Sequence, residues 1–166
     1  MAEITTPREL FLHELGDILY VEEQLANEVL PKLINEVKHD EFRTSLENHL
    51  EETRRHIENV EQVFSSLGES AKTEECVGFE GLKKEKEELT GKVSETMIDA
   101  VNAGAAARTE HYEIAAYTGL IEKARALGEQ DVVNLLDENL KEEKEALRQV
   151  ESVEKTLRDE IKAGAV

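Results

Sequence analysis

The chain has 166 residues and a net charge of −18 at pH 7, with 39% apolar and 35% charged residues, two prolines and no tryptophan. This length predicts one domain over residues 1–166 around a single core, and the composition favours long helices over a β-sheet or a disordered chain. The strong negative charge argues against nucleic acid and anionic membrane surfaces as partners and in favour of small cations.

Residues 7–38 are predicted to form the first long helix. Thr6 followed by Pro7 is typical of a helix start, and apolar residues then recur at helical spacing. Pro31 lies inside this helix, where it lacks an amide donor and crowds the preceding turn. We therefore expect a kink near residues 27–31.

The second long helix is predicted to start with Asp40 as its N-cap and to end at Gly68. A short turn separates it from the first helix, so the two should form an antiparallel hairpin. Residues 69–78 lack periodicity, and residues 79–90 are typical of a short polar helix. This passage is long enough to run the length of a bundle, which indicates a crossover.

Two further long helices complete the predicted plan. Ser94 is expected to cap a helix that ends at Leu127-Gly128, and an apolar stripe predicts a last helix from about residue 131 to 163. The expected fold is all-α, a four-helix bundle of two antiparallel hairpins that are joined by a long crossover containing a short helix.

Several acidic residues fall on the apolar faces of these helices. Glu110 and Glu113 stand three residues apart, on the side of the third long helix that also carries Ala106 and Tyr117. Glu22 continues the apolar stripe of the first helix, and Glu143 lies within the leucine stripe of the last. On the second helix, steps of three and four residues place His49, Glu52 and His56 on one face. Each acid taken alone is more often a surface residue, but their coincidence predicts a buried cluster.

Counting from the turns places this cluster at one level of the bundle. Glu22 and Glu113 lie 17 and 16 residues before their turns near 39 and 129, and His56 and Glu143 lie 17 and 14 residues after them. At about 1.5 Å per residue, these groups differ in height by about one helical turn at most. Four long helices therefore bring their acids and histidines to a common depth.

Carboxylates that meet in a core repel one another unless they are protonated or neutralised by cations. Glutamates from several helices with histidine nearby are how helical bundles hold two iron or two manganese ions. The expected cofactors are therefore two metal ions, iron or manganese, with zinc as an alternative. The sequence leaves open whether Glu110 or Glu113 is the ligand, and whether His49 or His56 is.

Over nearly its full length the chain resembles the YciE/YciF family of bacterial ferritin-like, stress-associated proteins. The resemblance rests on "ELGDILYVEEQL", "HLEETRRHIENVEQVF", "EHYEIAAY" and "LLDENLKEE", in this order, with the crossover between the second and third. It implies a ferritin-like bundle, a homodimer, a dimetal centre and a link to stress. The matched positions imply the metal ligands Glu22, Glu52, Glu110, Glu113 and Glu143, and His56, which shares a helical face with Glu52, completes the predicted ligand set.

The chain departs from the wider ferritin-like pattern, which has Glu-x-x-His on the second and last long helices. Glu52 is followed by histidine after four residues, and three residues after Glu143 stands Ala146. The last helix therefore supplies no histidine, and the site should be rich in carboxylates and asymmetric.

The other candidate residues have smaller expected roles. His111 is expected to face away from the site, and Tyr117 either packs or hydrogen-bonds a liganding carboxylate. Cys76 is the only cysteine, so a free thiol in a reducing cytoplasm is expected, with no targeting segment and no membrane span. The functional alternatives are a dimetal protein that handles iron, oxygen or peroxide, and a metal-free bundle that dimerises and binds a protein partner.

Overall fold

A computed structural model describes residues 3–164 and contains only helices and their connections in that range. The predicted all-α bundle of two hairpins joined by a crossover is confirmed. The helices are α1 (Pro7–Gln24), a π-helical turn (Leu25–Val29), α2 (Leu30–Glu36), α3 (Asp40–Ser66), α4 (Val77–Thr90), a 3₁₀ turn (Glu95–Met97), α5 (Ile98–Leu127) and α6 (Gln130–Lys162).

The four long helical rods form a square in cross-section. The rod of α1 and α2 packs against α3 and α5, and α6 packs against α3 and α5 as well. The Asp99 carboxylate accepts the backbone N–H groups of Lys38 and His39 at 3.0 and 2.8 Å, so α5 starts at the same end of the bundle as α3. The crossover therefore joins two parallel, diagonally opposite helices.

Side-chain caps define where the helices begin. Thr6 and Glu9 form a reciprocal capping box at the start of α1. The predicted N-cap Asp40 is wrong, because the His39 ring accepts the amide N–H of Phe42 while Asp40 pairs with Arg43. Position 40 therefore already belongs to the first turn of α3.

Ser94 precedes the 3₁₀ turn instead of capping α5 directly, which also differs from the expectation. Its hydroxyl hydrogen-bonds the Thr96 hydroxyl at 3.0 Å and makes no cap to a backbone amide. The chain tightens through residues Glu95–Met97 before the α-helix starts at Ile98. The start of α5 is therefore held by its contacts with the first hairpin.

The interruption expected near residues 27–31 is present as a π-helical turn. The backbone N–H of Leu30 donates to the carbonyl of Leu25, five residues earlier. Pro31 then lies in the first turn of α2, where a missing amide donor costs little. The π-helical turn starts three residues after Glu22, so it lies beside the predicted metal ligand.

The crossover lies against α1 before it enters α4. The Glu74 amide donates to the Gly16 carbonyl at 3.0 Å, and a Cβ atom on Gly16 would lie 2.7 Å from the Lys72 carbonyl oxygen. Only glycine permits this approach of two backbones. The helix predicted over 79–90 begins two residues earlier, where the Cys76 sulfur accepts the Phe79 amide.

The apolar seams of the four rods form one continuous core, which includes Phe11, Leu15, Ile18, Phe42 and Leu136. Within residues 3–164, nine polar side chains are buried among them: Glu22, His49, Thr53, His56, Asn102, Glu110, Glu113, Asn139 and Glu143. Isolated polar groups of this kind destabilise a core. Most of these side chains instead gather at one level of the bundle.

Substituting Gly128 tests how the second hairpin closes. Gly128 ends α5 in the left-handed conformation with φ of +81°. We expect Gly128→Ala to lower the free energy of unfolding by about 1 kcal/mol, because a Cβ atom disfavours positive φ. Gly81→Ala, in the open interior of α4, is the control and should raise stability by up to about 1 kcal/mol. Urea unfolding measures both, and equal effects would contradict this account of the turn.

Candidate metal centre

All four rods contribute side chains to one buried cluster. Glu22 comes from α1, and the other members follow on α3, α5 and α6: His49, His56, Glu110, Glu113 and Glu143. Each has at most 5% of its surface exposed. The common depth predicted by counting residues therefore corresponds to a real meeting of side chains in the core.

The first of two ligand groups consists of His49, Glu110, Glu113 and Glu143. Each offers one ligand atom, and these atoms all lie within 4.8 Å of one another. His49 Nε2 lies 3.4 Å from Glu110 Oε1 and 3.8 Å from Glu143 Oε2. One nitrogen and three carboxylates thus surround a single small volume.

The second group consists of Glu22, His56 and Glu143, again with ligand atoms within 4.8 Å. His56 Nδ1 lies 2.9 Å from Glu143 Oε1 and 3.3 Å from Glu22 Oε1. Glu143 therefore belongs to both groups, with Oε1 toward His56 and Oε2 toward His49. A carboxylate in this position has the geometry of a bridge between two ions.

An outer carboxylate holds the far nitrogen of each histidine. Glu52 Oε2 lies 3.4 Å from His49 Nδ1, and Glu142 Oε2 lies 2.9 Å from His56 Nε2. Both acids are partly exposed at the edge of the bundle. Such pairs fix the ring orientation and leave the inner nitrogen free to act as a ligand.

Tyr117 and Asn139 hold the cluster from within the core. The Tyr117 hydroxyl donates to Glu22 Oε1, and Asn139 Nδ2 donates to the Tyr117 oxygen at 3.0 Å. Asn59 in turn donates to Asn139 Oδ1 at 2.7 Å. Tyr117 has both of the roles considered for it, because its ring packs in the core while its hydroxyl hydrogen-bonds a cluster carboxylate.

The inner faces of the cluster carry polar atoms without hydrogen-bond partners. Within residues 3–164 the unpartnered buried atoms include both oxygens of Glu113 and Glu143, one oxygen each of Glu22 and Glu110, and His56 Nδ1. The short approach of His56 Nδ1 to Glu143 lacks the alignment of a hydrogen bond. Buried polar atoms are nearly always paired, and the ligand atoms of these residues lie close enough together to hold a metal ion.

Burial raises the pKa of three of the cluster's carboxyl groups. Desolvation raises the pKa of Glu113, and the neighbouring charges of Glu143, Glu22 and Glu110 raise it further. Desolvation, partly opposed by His49 and His56 respectively, also raises the pKa of Glu110 and Glu143. Without a cation, these carboxyl groups therefore tend to hold protons.

Burial and the neighbouring carboxylates also shift the pKa of the two histidines. Desolvation lowers the pKa of both rings, but the neighbouring carboxylates outweigh it. The charge of Glu110 and the hydrogen bond that the His49 ring donates to Glu52 raise the pKa of His49 above its usual value. Glu22 and Glu143 raise the pKa of His56 to about 11. The cluster thus attracts positive charge, whether as protons or as metal ions.

The donor set fits two divalent cations. Four inner carboxylates carry four negative charges when ionised, which two divalent ions would balance with both histidines neutral. Oxygen and imidazole ligands are suited to iron and manganese, and imidazole also to zinc. The two protonated histidines alone would balance only two of the four carboxylates.

Most of the predicted ligands meet in this cluster. Glu22, His56, Glu110, Glu113 and Glu143 lie in one or both groups, whereas Glu52 lies outside both and contacts His49. The sequence left open whether His49 or His56, and whether Glu110 or Glu113, belongs to the site. All four residues lie in the cluster. His111 is exposed, as expected.

Sequence reasoning missed the roles of Glu142 and Asn139. Glu142 is adjacent to Glu143 and lies six residues after Leu136, so its position gave no sign of a contact with a buried ring. Asn139 lies four residues before Glu143 on the same face of α6, which is a spacing that could have revealed it. Helical spacing locates a face but does not show which edge residues reach across to a neighbouring helix.

Fold and site together define a helical bundle protein with a buried glutamate–histidine cluster between two antiparallel hairpins. The family model of DUF892, a domain of unknown function, matches residues 6–162, and the chain belongs to this family. The sequence is 36% identical to protein YciF of Escherichia coli K12 over 141 residues, which cover 84% of each chain. The resemblance to the YciE/YciF family is therefore confirmed.

Solved structures share the architecture. The crystal structure of the Escherichia coli stress protein YciF matches with a TM-score of 0.87 and 32% identity in the structural alignment, over 94% of this chain and 99% of that chain. YcfI from Rhodopseudomonas palustris, described as a candidate structural protein, matches with a TM-score of 0.87 and 40% identity, over 90% of this chain and 95% of that chain. A Xanthomonas campestris protein that is 21% identical, with a TM-score of 0.75, shares the fold alone.

Across residues 3–164, every helix is too short or too polar to cross a bilayer.

The raised pKa values predict how the metal-free protein responds to pH. The folded chain holds protons on Glu110, Glu113 and Glu143 that the unfolded chain releases at lower pH. Stability should therefore be lost as pH rises through the range above 4.5, the usual pKa of a glutamate side chain. The melting temperature of chelator-treated protein should fall over this range, and less so in Glu113→Gln. The exposed Glu122→Gln is the control, and equal falls in both variants would contradict burial of a titrating Glu113.

Proposed function

We propose that the cluster binds two metal ions and that the protein is a dimetal carboxylate protein of the stress response. The observation that carries this proposal is the set of buried, unpartnered carboxylate oxygens that face one another between the four helices. Cations are the simplest partners for such atoms, because they neutralise several carboxylates without a large side chain.

Each side chain has a distinct role in this proposal. His49, Glu110 and Glu113 hold one ion, Glu22 and His56 hold the other, and Glu143 bridges them. Glu52 and Glu142 orient the rings of His49 and His56 from outside. Tyr117 orients Glu22 through its hydroxyl, supported by Asn139.

Iron and manganese are the proposed ions, with zinc as an alternative. Four carboxylates and two imidazoles form a hard, oxygen-rich donor set with no thiolate, and such a set favours iron and manganese. When bound, either metal supplies one-electron chemistry toward oxygen or peroxide. The residues around it hold the ions in a dry core and exclude other solutes, because the cluster is almost fully buried.

The cellular setting belongs to the same proposal. The relative YciF is described as a stress protein, which supports a role for this chain in handling iron, oxygen or peroxide under stress. We place the protein in the cytoplasm as a homodimer, with neither nucleic acid nor membrane as a partner. The net charge of −18 supports the exclusion of both anionic partners.

A metal-free structural bundle that binds a protein partner is the second candidate. It is favoured by the description of YcfI as a candidate structural protein. Protonated His49 and His56, together with protonated carboxyl groups, would then satisfy the cluster. The two candidates differ in a single measurable property, the metal content.

Metal analysis separates the two candidates directly. Protein reconstituted with iron(II) or manganese(II) under anaerobic conditions should retain about two ions per chain after desalting, because both ligand groups are complete. Its melting temperature at neutral pH should exceed that of chelator-treated protein, because ions that bind only the folded state stabilise it. A metal content near zero with identical melting temperatures would support the structural bundle.

Single substitutions test the two-group arrangement. Glu113→Gln and Glu22→Gln should each leave about one tightly bound ion per chain, because each removes a ligand from one group only. Glu143→Gln should weaken both sites, because it removes the shared carboxylate. Glu145→Gln, an exposed neighbour on α6, is the control and should keep the full content. An intact second site in Glu143→Gln would contradict the bridging role.

A further inference from the structure

A cavity of about 70 Å³ lies beside the first ligand group, between the π-helical turn, α2, α4 and α5. Its buried walls are apolar and come from five segments of the chain: Leu25, Leu30, Leu33, Leu46, Phe79 and Ala106. Glu110, a member of the first ligand group, also lines it. The cavity thus extends from the surface of the crossover to the edge of the cluster.

The size and lining of this cavity restrict its occupant. Drug-sized ligands require about 300 Å³ or more, so an extended organic substrate does not fit. An apolar cavity of about 150 Å³ stays dry and binds benzene or xenon, and roughly half that volume suits a diatomic or monatomic gas. The fully buried part of the lining is leucine, phenylalanine and alanine, and the charged side chains other than Glu110 lie toward the outer end, so the inner part of the cavity favours an apolar occupant.

Glu110 connects the cavity with the cluster. Its Oε1 lies 3.4 Å from His49 Nε2, and its Oε2 is buried without a hydrogen-bond partner. A small molecule in the cavity therefore lies next to a carboxylate of the first ligand group. The π-helical turn that starts three residues after Glu22 provides part of the same wall, and such turns are frequent at functional sites.

Ion pairs cross the outer end of the cavity. The exposed pair of Lys32 on α2 and Glu87 on α4 spans it with 3.2 Å between Nζ and Oε1, and such exposed pairs contribute little stability. Lys83 Nζ lies 4.0 Å from Glu28 Oε2 in the π-helical turn, and the partly buried pair of Lys86 and Glu36 also joins α4 to α2.

We propose that this cavity binds dioxygen and delivers it to the Glu110 side of the cluster. This inference rests on the proposed dimetal function and extends it, because it names dioxygen, a small apolar oxidant, as the molecule that reaches the site. Hydrogen peroxide is polar and hydrogen-bonding, so an apolar passage does not favour it. The binding of a small apolar molecule here requires no metal and can be measured without one.

Xenon tests the cavity in metal-free protein. Crystals of chelator-treated protein under xenon pressure should show one xenon atom between Leu33, Phe79 and Ala106. Ala106→Leu should fill the cavity and abolish this atom. Ala107→Leu adds the same volume one residue away, outside the lining, and should retain it. A wild-type crystal without xenon, or xenon unchanged in Ala106→Leu, would overturn the proposal, and the wild-type result decides even if the variant does not fold.

Oxidation kinetics test delivery to the cluster. In iron(II)-loaded Ala106→Leu, the rate of iron oxidation by dioxygen should fall several-fold relative to Ala107→Leu, while the rate with hydrogen peroxide should not change. An equal loss with both oxidants, or no loss with dioxygen, would overturn delivery through this cavity. If the protein binds no iron, the proposed function fails, while the xenon experiment still decides whether the cavity binds a small apolar molecule.

Discussion

Four carboxylates buried at one level of a helical bundle are the constraint on which the rest of this structure depends. An uncompensated buried charge costs several kcal/mol, so a core that contains four of them must protonate them, pair them or bind cations. The two inward histidines, the raised pKa values of Glu110, Glu113 and Glu143 and the unpartnered oxygens all follow from this single requirement. Cations would satisfy it without disturbing the packing of the helices.

The architecture meets this constraint by dividing the charge among the helices. The two hairpins place their acids at matching depths, and a diagonal crossover leaves α3 and α5 facing each other across the cluster. Outer carboxylates at Glu52 and Glu142 fix the histidines, while Tyr117 and Asn139 fix Glu22 from within. The π-helical turn and α4 then leave a largely apolar cavity on the Glu110 side of the cluster.

The fold was largely predictable from the sequence, and so was most of the candidate site. Apolar spacing, the Leu127-Gly128 stop and the aperiodic stretch after Gly68 together predicted the number of long helices, their order and the crossover. The inward direction of Glu22, Glu113 and Glu143 followed from the same periodicity, because a helix fixes the angle between its side chains. Capping was less predictable: His39 and Asp40 are adjacent, and contacts with Asp99 and Arg43 decided which residue caps α3.

The sequence by itself therefore determined which faces carry acids, at what depth, and in how many helices, since these properties depend on local spacing along each helix. Only the tertiary structure decided that His49 and His56 serve different groups, that Glu143 joins both, and that Glu52 stands outside. The packing of α4 against α5 likewise decided that a cavity remains beside Glu110. These features depend on how neighbouring helices are rotated and spaced, and side-chain distances of a few ångströms between helices are not encoded in the periodicity of any one of them.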